Sequence, residues 1–269
     1  MHLRAVHNKQ TLGAGHFLET AQPTPLLAGE RTNLEGRPIR NGILLALPDS
    51  EFQSIRPSLS FEYLPSHTSL HEPGEKLEFV HFPNRGLVSF VVVTREGKTV
   101  EVGIVGNEGL SGTAALVGLT RYPHRAVVQI AGDGFRIRAD ALRSLLPTCL
   151  YFQNVCSRHA VLQGMQAAQS AACNRLHGIE QRLARWLLMT HDRVENGYLA
   201  ITHDFLATML GTDRPSVSLA AALLQRKGAI EYTRGAVRIV NRKLLEESAC
   251  ECYAVIQQFN SYIGLKPQE

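Results

Sequence analysis

The stretch Ile201–Leu224, ITHDFLATMLGTDRPSVSLAAALL, constrains this chain more than any other. It predicts two short helices joined by a tight turn. Thr202 has the hydroxyl that an N-cap needs to accept a free N–H of the first turn. Phe205, Leu206, Met209 and Leu210 recur at helical spacing and give the first helix one apolar face. Gly211 follows where a helix end needs a residue tolerant of positive φ. Asp213 is a second N-cap, and Arg214-Pro215 opens the next helix, where proline is tolerated. Val217, Ala220, Ala221 and Leu224 then supply a small apolar face to pack on the first helix. This is the grammar of a helix-turn-helix, a unit that sets its second helix in the DNA major groove.

The net charge of +4 says little about partners, but its distribution says more. Residues 174–243 hold eleven Lys/Arg against six Asp/Glu, an excess that suits phosphate neutralisation. The cysteines are Cys149, Cys156, Cys173, Cys250 and Cys252. Their odd number and the lack of a C-x-x-C pair predict reduced thiols rather than a disulfide framework. Met1–Arg40 has no continuous apolar segment, and the apolar runs elsewhere are strand-sized, so neither a signal peptide nor a membrane span is expected. A cytoplasmic location follows from these expectations.

Residues 1–40 are polar with scattered Pro and Gly and read as a flexible tail. Asn41–Ile55 reads as one or two short helices. Strand signals then appear at Leu77–Phe82, Leu87–Thr94, Thr99–Val105, Ala126–Ile130 and Gly134–Ile137. Turn signals separate them, among them Pro83-Asn84-Arg85-Gly86 and Gly132-Asp133-Gly134. Short strands at such spacing predict a jelly roll over 41–147. A short helix Asp140–Leu146, capped by Asp140, leads to a long one over Thr148–Cys173. Tyr151, Val155, Arg158, Leu162, Met165, Gln169 and Ala172 space out a two-helix seam, which we read as a parallel dimer contact. Packing of that face on the chain's own barrel is the alternative. Ile179–Val194 is amphipathic, with Leu183, Trp186, Leu187 and Val194 inward. Ala229–Tyr232 and Ala236–Val240 form a hairpin about Arg234-Gly235, a wing, and Arg242–Tyr262 closes the chain as one helix. The expected organisation is therefore a tail (1–40), a β-roll (41–147), a dimerisation helix (148–173), a winged helix-turn-helix (174–245) and a C-terminal helix (246–269).

With LATMLGTDRPSVSLAAALLQRKGAIEY, VGNEGLSG at Val105–Gly112 and HRAVVQIAG at His124–Gly132 in hand, the chain resembles the Crp/Fnr family of bacterial transcription regulators. The resemblance spans residues 41–245 and is strongest over Ile201–Val240. It implies an α+β fold: an N-terminal double-stranded β-helix effector domain, a dimerisation helix and a winged helix-turn-helix. It also implies a homodimer on double-stranded DNA, with RNA polymerase as a further partner. Carried over, Thr202 and Thr212 would lie near phosphates. Arg214 would take the first base-reading position, where its fork matches guanine O6 and N7. Pro215, Ser216, Ser218 and Leu219 complete the recognition-helix set. Pro215 and Leu219 stand where the family often has Glu and Arg, which implies a different half-site. Arg234 and Arg238 in the wing would contact phosphates.

The family's cyclic-nucleotide cassette is only partly matched. Arg125 stands where the family has its arginine, but Ala126 replaces the serine and the glutamate position, near Ser111–Thr113, has no carboxylate. A cyclic mononucleotide is thus not expected, although Gly109, Ser111 and Gly112 with Arg125 could hold some other anionic effector. An iron–sulfur cluster is not expected either, since no cysteine precedes Cys149. Cys250 and Cys252, on one helix, would project about 200° apart and chelate poorly. No metal site is predicted, and each thiol reads as a small buried hydrophobe, with Cys173 at the hinge a candidate redox switch. The competing class is a cupin-like metal enzyme built on His67, His71, Glu72 and His81. Its ligand spacing fails on a strand, and no nucleotide loop or nucleophile elbow appears.

Overall fold

The computed structural model describes residues 30–194, 198–233 and 235–261. Of the expected tail, residues 30–40 are folded rather than flexible. Arg31 ties them down, donating to the carbonyls of Leu44 and Leu47 and to Asp49 at 2.7 Å, with its guanidinium over the Phe52 ring. Ile39 and Asn33 are fully buried. A buried arginine with this many acceptors organises a segment that has no periodicity of its own. Residues 1–29 lie outside the described residues.

Two short helices follow, α1 (Gly42–Leu45) and α2 (Asp49–Ile55). The Asn41 side chain caps α1 and also donates to the carbonyls of Pro83 and Gly109, which anchors the helices to the sheet. The β-roll is built from β1 (Ser60–Leu64), β2 (Ser69–His71), β3 (Phe79–Val93), β4 (Thr99–Val105) and β5 (Arg125–Arg138). Its order is β1-β5-β3-β4, with β2 also on β5.

Two of the predicted turns are not turns. Pro83–Gly86 lies inside β3 and Gly132–Gly134 inside β5, and the two runs face each other across the β3–β5 ladder. The register shifts there at Pro83/Arg85, Arg85/Leu87 and Leu87/Val88. Turn-type residues here bend two long paired strands, as bulges do, instead of ending four short ones. Gly132 is needed for this approach, since a Cβ there would sit 2.1 Å from the Arg85 carbonyl oxygen.

Helix α3 (Ala139–Leu145) starts after Arg138, and Asp140 sits in its first turn, paired with Arg138, rather than capping it. The long helix α4 runs Leu150–Leu176, and its face is rotated from the predicted one. Val155 is buried in the β-roll core, and Leu162 and Gln169 are half-buried. The stripe left open is Tyr151, Asn154, Arg158, Val161, Met165, Ala168, Ala172 and Arg175. Tyr151, Arg158, Met165 and Ala172 belong to both readings. Val155, Leu162 and Gln169 turn inward instead; apolarity alone does not tell which side of a two-faced helix meets its own barrel.

Helix α5 (Ile179–His191) begins the C-terminal region, followed by β6 (Tyr198–Leu199), α6 (His203–Leu210), α7 (Arg214–Arg226), β7 (Ile230–Thr233) and β8 (Ala236–Ile239). The wing sheet has the order β6-β8-β7, so it gains a strand that the sequence did not announce. The expected single C-terminal helix is two, α8 (Arg242–Ser248) and α9 (Cys252–Ser261). They part at Ala249, which is extended.

The predicted consequence of the facing bulges is that Gly132→Ala destabilises the protein by about 3 kcal/mol or more, because the clash is with backbone. Urea unfolding checks it: a midpoint unchanged from the parent would mean that the two strands do not approach there.

Candidate nucleic-acid interface

The helix-turn-helix is locally determined. Thr202 accepts the Phe205 N–H at 3.2 Å, and Asp213 accepts the Ser216 N–H at 2.8 Å. Between the helices Gly211 has φ +59°. Leu206, Ala207, Met209 and Leu210 of α6 and Val217, Ala220, Ala221 and Leu224 of α7 fill one core with α5. That leaves the start of α7 turned outward. The Leu219 residue is 61% exposed and the Arg214 side chain 65%.

Arg214 lies 3.4 Å from Asp204 in an exposed pair. Such a pair is worth about 0–1 kcal/mol, less than the ~1–3 kcal/mol of a bidentate base contact, so it does not prevent the arginine from turning to DNA. Pro215 is exposed beside it. The Ser216 hydroxyl is turned back to Asp213, and Ser218 meets His203 Nδ1 at 2.9 Å. His203 in turn stacks on Tyr232 of the wing, a brace between α6, α7 and β7 that the sequence reading missed. Thr212 is half-buried in the turn, its N–H donated to the Ala207 carbonyl. Arg238 is held across the wing by Glu231 at 2.6 Å. Arg234 lies outside the described residues.

This unit is docked on the β-roll. Val91 of β3 lies in the same core as α5, α6 and α7, and a Cβ at Gly211 would sit 3.1 Å from Val100 of β4. Leu87 and Ile104 of the β-roll meet Met189 of α5 and Ile256 of α9. Two polar links cross the same seam. Glu101 on β4 accepts from Trp186 Nε1 at 2.8 Å and from Ser89 at 2.6 Å. Arg193 donates to Glu108 at 2.6 Å in a pair that is largely buried. A lone carboxylate in the strand VEVGIV was the available signal for the first link. Burial pushes the Glu101 carboxyl up to about 7, against those two hydrogen bonds, which pull it down.

The predicted effector residues do not converge. Gly109 packs on His159, where a Cβ would sit 2.0 Å from the ring. Ser111 is buried and exchanges backbone hydrogen bonds with His81, and Gly112 takes φ +105° at the start of a short 3-10 helix, Thr113–Val117. Arg125 is the first residue of β5, opposite Val91 near the far end of β3, and donates to Glu72 at 2.8 Å. The Ala114 N–H in that 3-10 helix already donates to the Tyr122 hydroxyl. Arg125 Nε and the Ala114 N–H are thus engaged inside the chain, while the Ser111 hydroxyl is buried without a hydrogen-bond partner.

The cupin set also stays apart. His81 pairs with Glu62 at 2.5 Å, while His71 stacks on Tyr122. Among the described residues the group with one-ion spacing lies elsewhere: Cys173, His177, Cys250 and Cys252, whose ligand atoms are all within 4.8 Å of one another. This overturns the reading of Cys250 and Cys252 as a poor chelate. They do not share a helix, because α8 ends before Cys250 and α9 starts at Cys252.

Residues 181–248 match the family model of the Crp-like helix-turn-helix domain. The chain is Crp/Fnr-like in fold, with a Crp-like helix-turn-helix domain. No curated protein sequence matches it significantly. FixK2 from Bradyrhizobium japonicum shares the fold at TM-score 0.62 and 15% identity, over 71% of this chain and 98% of its own. A transcriptional regulator of the Crp/Fnr family from Eubacterium rectale does so at TM-score 0.60 and 16% identity, over 75% of this chain and 94% of its own. The c-di-GMP responsive global regulator CLP of Xanthomonas campestris follows at 0.58 and 15%, over 71% and 99%. The Crp/Fnr fold therefore accounts for β-roll, long helix and winged helix together, and the cupin alternative finds no support.

Glu101 gives the docked seam a pH signature. Its folded pKa lies above the ordinary 4.5, so the folded chain holds a proton that the unfolded chain releases. The stabilisation is full below about pH 4.5 and is lost as pH rises through about 7. Glu101→Gln should therefore show a flatter fall in Tm between about pH 5 and about pH 8 than the parent does. Identical slopes in thermal denaturation would contradict this.

Proposed function

We propose that this chain is a homodimeric, sequence-specific DNA-binding transcription regulator and not an enzyme. The observation that carries the reading is the aspect of α7. Its inner residues are sunk in a core while Arg214, Pro215 and Leu219 are exposed towards its N-terminal end, the end that reaches base edges in helix-turn-helix complexes. Thr202 and Thr212 would lie near the phosphates, with Arg238 released from Glu231 to join them. The likeness to transcription regulators supports the same class. Contact with RNA polymerase belongs to this reading, and a cytoplasmic location follows from it. No described helix is long and apolar enough to cross a membrane.

The dimer is assigned to the open stripe of α4. Val161 is 58% exposed and Met165 42%, in a 3-4 repeat with Ala168 and Ala172, whose small side chains permit close backbone approach. On DNA the paired chains would have to set their two α7 helices about 34 Å apart, one turn of duplex. Arg214 would read guanine, and Leu219 would meet a thymine methyl rather than hydrogen-bond a base. A cyclic mononucleotide has no place in the reading, since Arg125 Nε is paired with Glu72 and no carboxylate stands at Ser111–Thr113 to receive its ribose.

Two outcomes are expected. Arg214→Ala should weaken binding to a selected operator by about 1–3 kcal/mol in a gel-shift titration and relax the preference at one base position. Unchanged affinity and preference would sink the assignment of Arg214. Val161→Glu with Met165→Glu should convert a dimer to a monomer by light scattering, because two charges would be buried without partners. A dimer that survives both changes would place the interface elsewhere.

A further inference from the structure

The hinge between α4 and the winged helix holds a group of side chains that DNA binding does not use. Cys173 comes from the last turn of α4, His177 from the α4–α5 junction, and Cys250 and Cys252 from the break between α8 and α9. The three cysteines are buried together as a small cluster of their own. Cys173 Sγ lies 3.5 Å from Cys250 Sγ, and Cys252 Sγ lies 3.5 Å from His177 Nδ1. A tetrahedral ion with thiolate arms of about 2.3 Å and an imidazole arm of about 2.0 Å has edges of roughly 3.5–3.8 Å. The Cys173–Cys250 and Cys252–His177 separations already meet it, and the remaining ones, all within 4.8 Å, close to it with a shift of about 1 Å. An iron–sulfur cluster spreads its cysteines around a cage of several metal atoms, and this group is too tight for that.

The surroundings are those of a metal shell. His177 Nε2 lies 3.1 Å from the Glu251 carboxylate, so a proton there leaves Nδ1, the atom facing the cluster, as a free ligand. Gln169 Nε2 donates to Cys252 Sγ at 3.0 Å, as second-shell groups do to a bound thiolate. Arg182 and Arg185 interact electrostatically with Cys173, which suits a site where three thiolates outweigh a divalent charge. Four protein ligands with no open position describe a structural site rather than a catalytic one.

We propose that Cys173, His177, Cys250 and Cys252 bind one thiophilic divalent ion, zinc in kind, that pins the end of α4 and the α4–α5 junction to the α8–α9 link. The need to bring two sulfurs to Cys173 gives a reason for the helix break at Ala249. Binding releases the thiol protons to solvent and involves no change of oxidation state. The ion fixes the angle between the candidate dimer helix and the reading head, so its loss loosens that angle without touching the DNA-facing residues.

The test uses the full-length protein, purified reduced and without chelator. Elemental analysis should find about one zinc per chain, and cobalt titration of the stripped protein should give the intense visible bands of tetrahedral cobalt–thiolate coordination. His177→Ala, which spares the buried sulfurs, and Cys252→Ser should each lower affinity at least about tenfold, while Cys149→Ser should leave it unchanged. The cobalt spectrum of the parent decides the matter even where a variant fails to fold. A pale octahedral spectrum, or equal affinity in Cys252→Ser, would overturn the proposal. So would a Cys173–Cys250 disulfide in freshly isolated protein, which would make the pair a redox couple instead.

Discussion

The whole C-terminal half depends on one buried seam, where β3 and β4 meet α5 and α6. Val91, Leu87 and Ile104 supply the apolar surface from the β-roll; Trp186, Met189 and Leu210 supply it from the other side. Apolar area alone would let the two halves slide, because it is non-directional. Glu101 to Trp186 and Glu108 to Arg193 fix the register, since any displacement would leave buried polar groups without partners. The seam carries α7 with it: α5 and α6 form the floor on which α7 rests, so the direction of Arg214 is set by the β-roll.

The C-terminal helices complete the clamp. Asp192, at the end of α5, receives Arg242 of α8 at 2.7 Å and Tyr253 of α9 at 2.9 Å. Ile256 of α9 reaches back to Leu87 and Ile104 of the β-roll. The chain thus closes on itself at the point where α4 gives way to the winged helix, which is also where the sulfur and imidazole ligands gather.

What was legible in the sequence was what is local. Thr202, Gly211 and Asp213 specify two caps and a turn within a dozen residues, and no distant contact can easily override them. The β-roll was legible as a class but not in its strands. Pro83–Gly86 and Gly132–Gly134 carry turn chemistry, and only their pairing across the sheet makes them bulges. On α4 the apolar positions serve two faces, and the choice between Val155 and Val161 as seam residue is made by the barrel packed alongside. The Cys173 and Cys250 sulfurs meet across 77 positions of sequence, a distance at which spacing rules have nothing to say. Arg125 shows the converse: it sits in the family-like segment, yet Glu72, just past the end of β2, has claimed it.

If the seam is what holds the reading head in place, the β-roll and the winged helix must open together. Native-state hydrogen exchange of the full-length protein measures this directly. Amides of β4 around Glu101–Ile104 and amides of α5 around Trp186–Met189 should share one opening free energy and respond equally to denaturant. Exchange of α5 and α6 at a much lower free energy than β4 would contradict the account, because it would show a domain that leaves its partner while the β-roll stays closed.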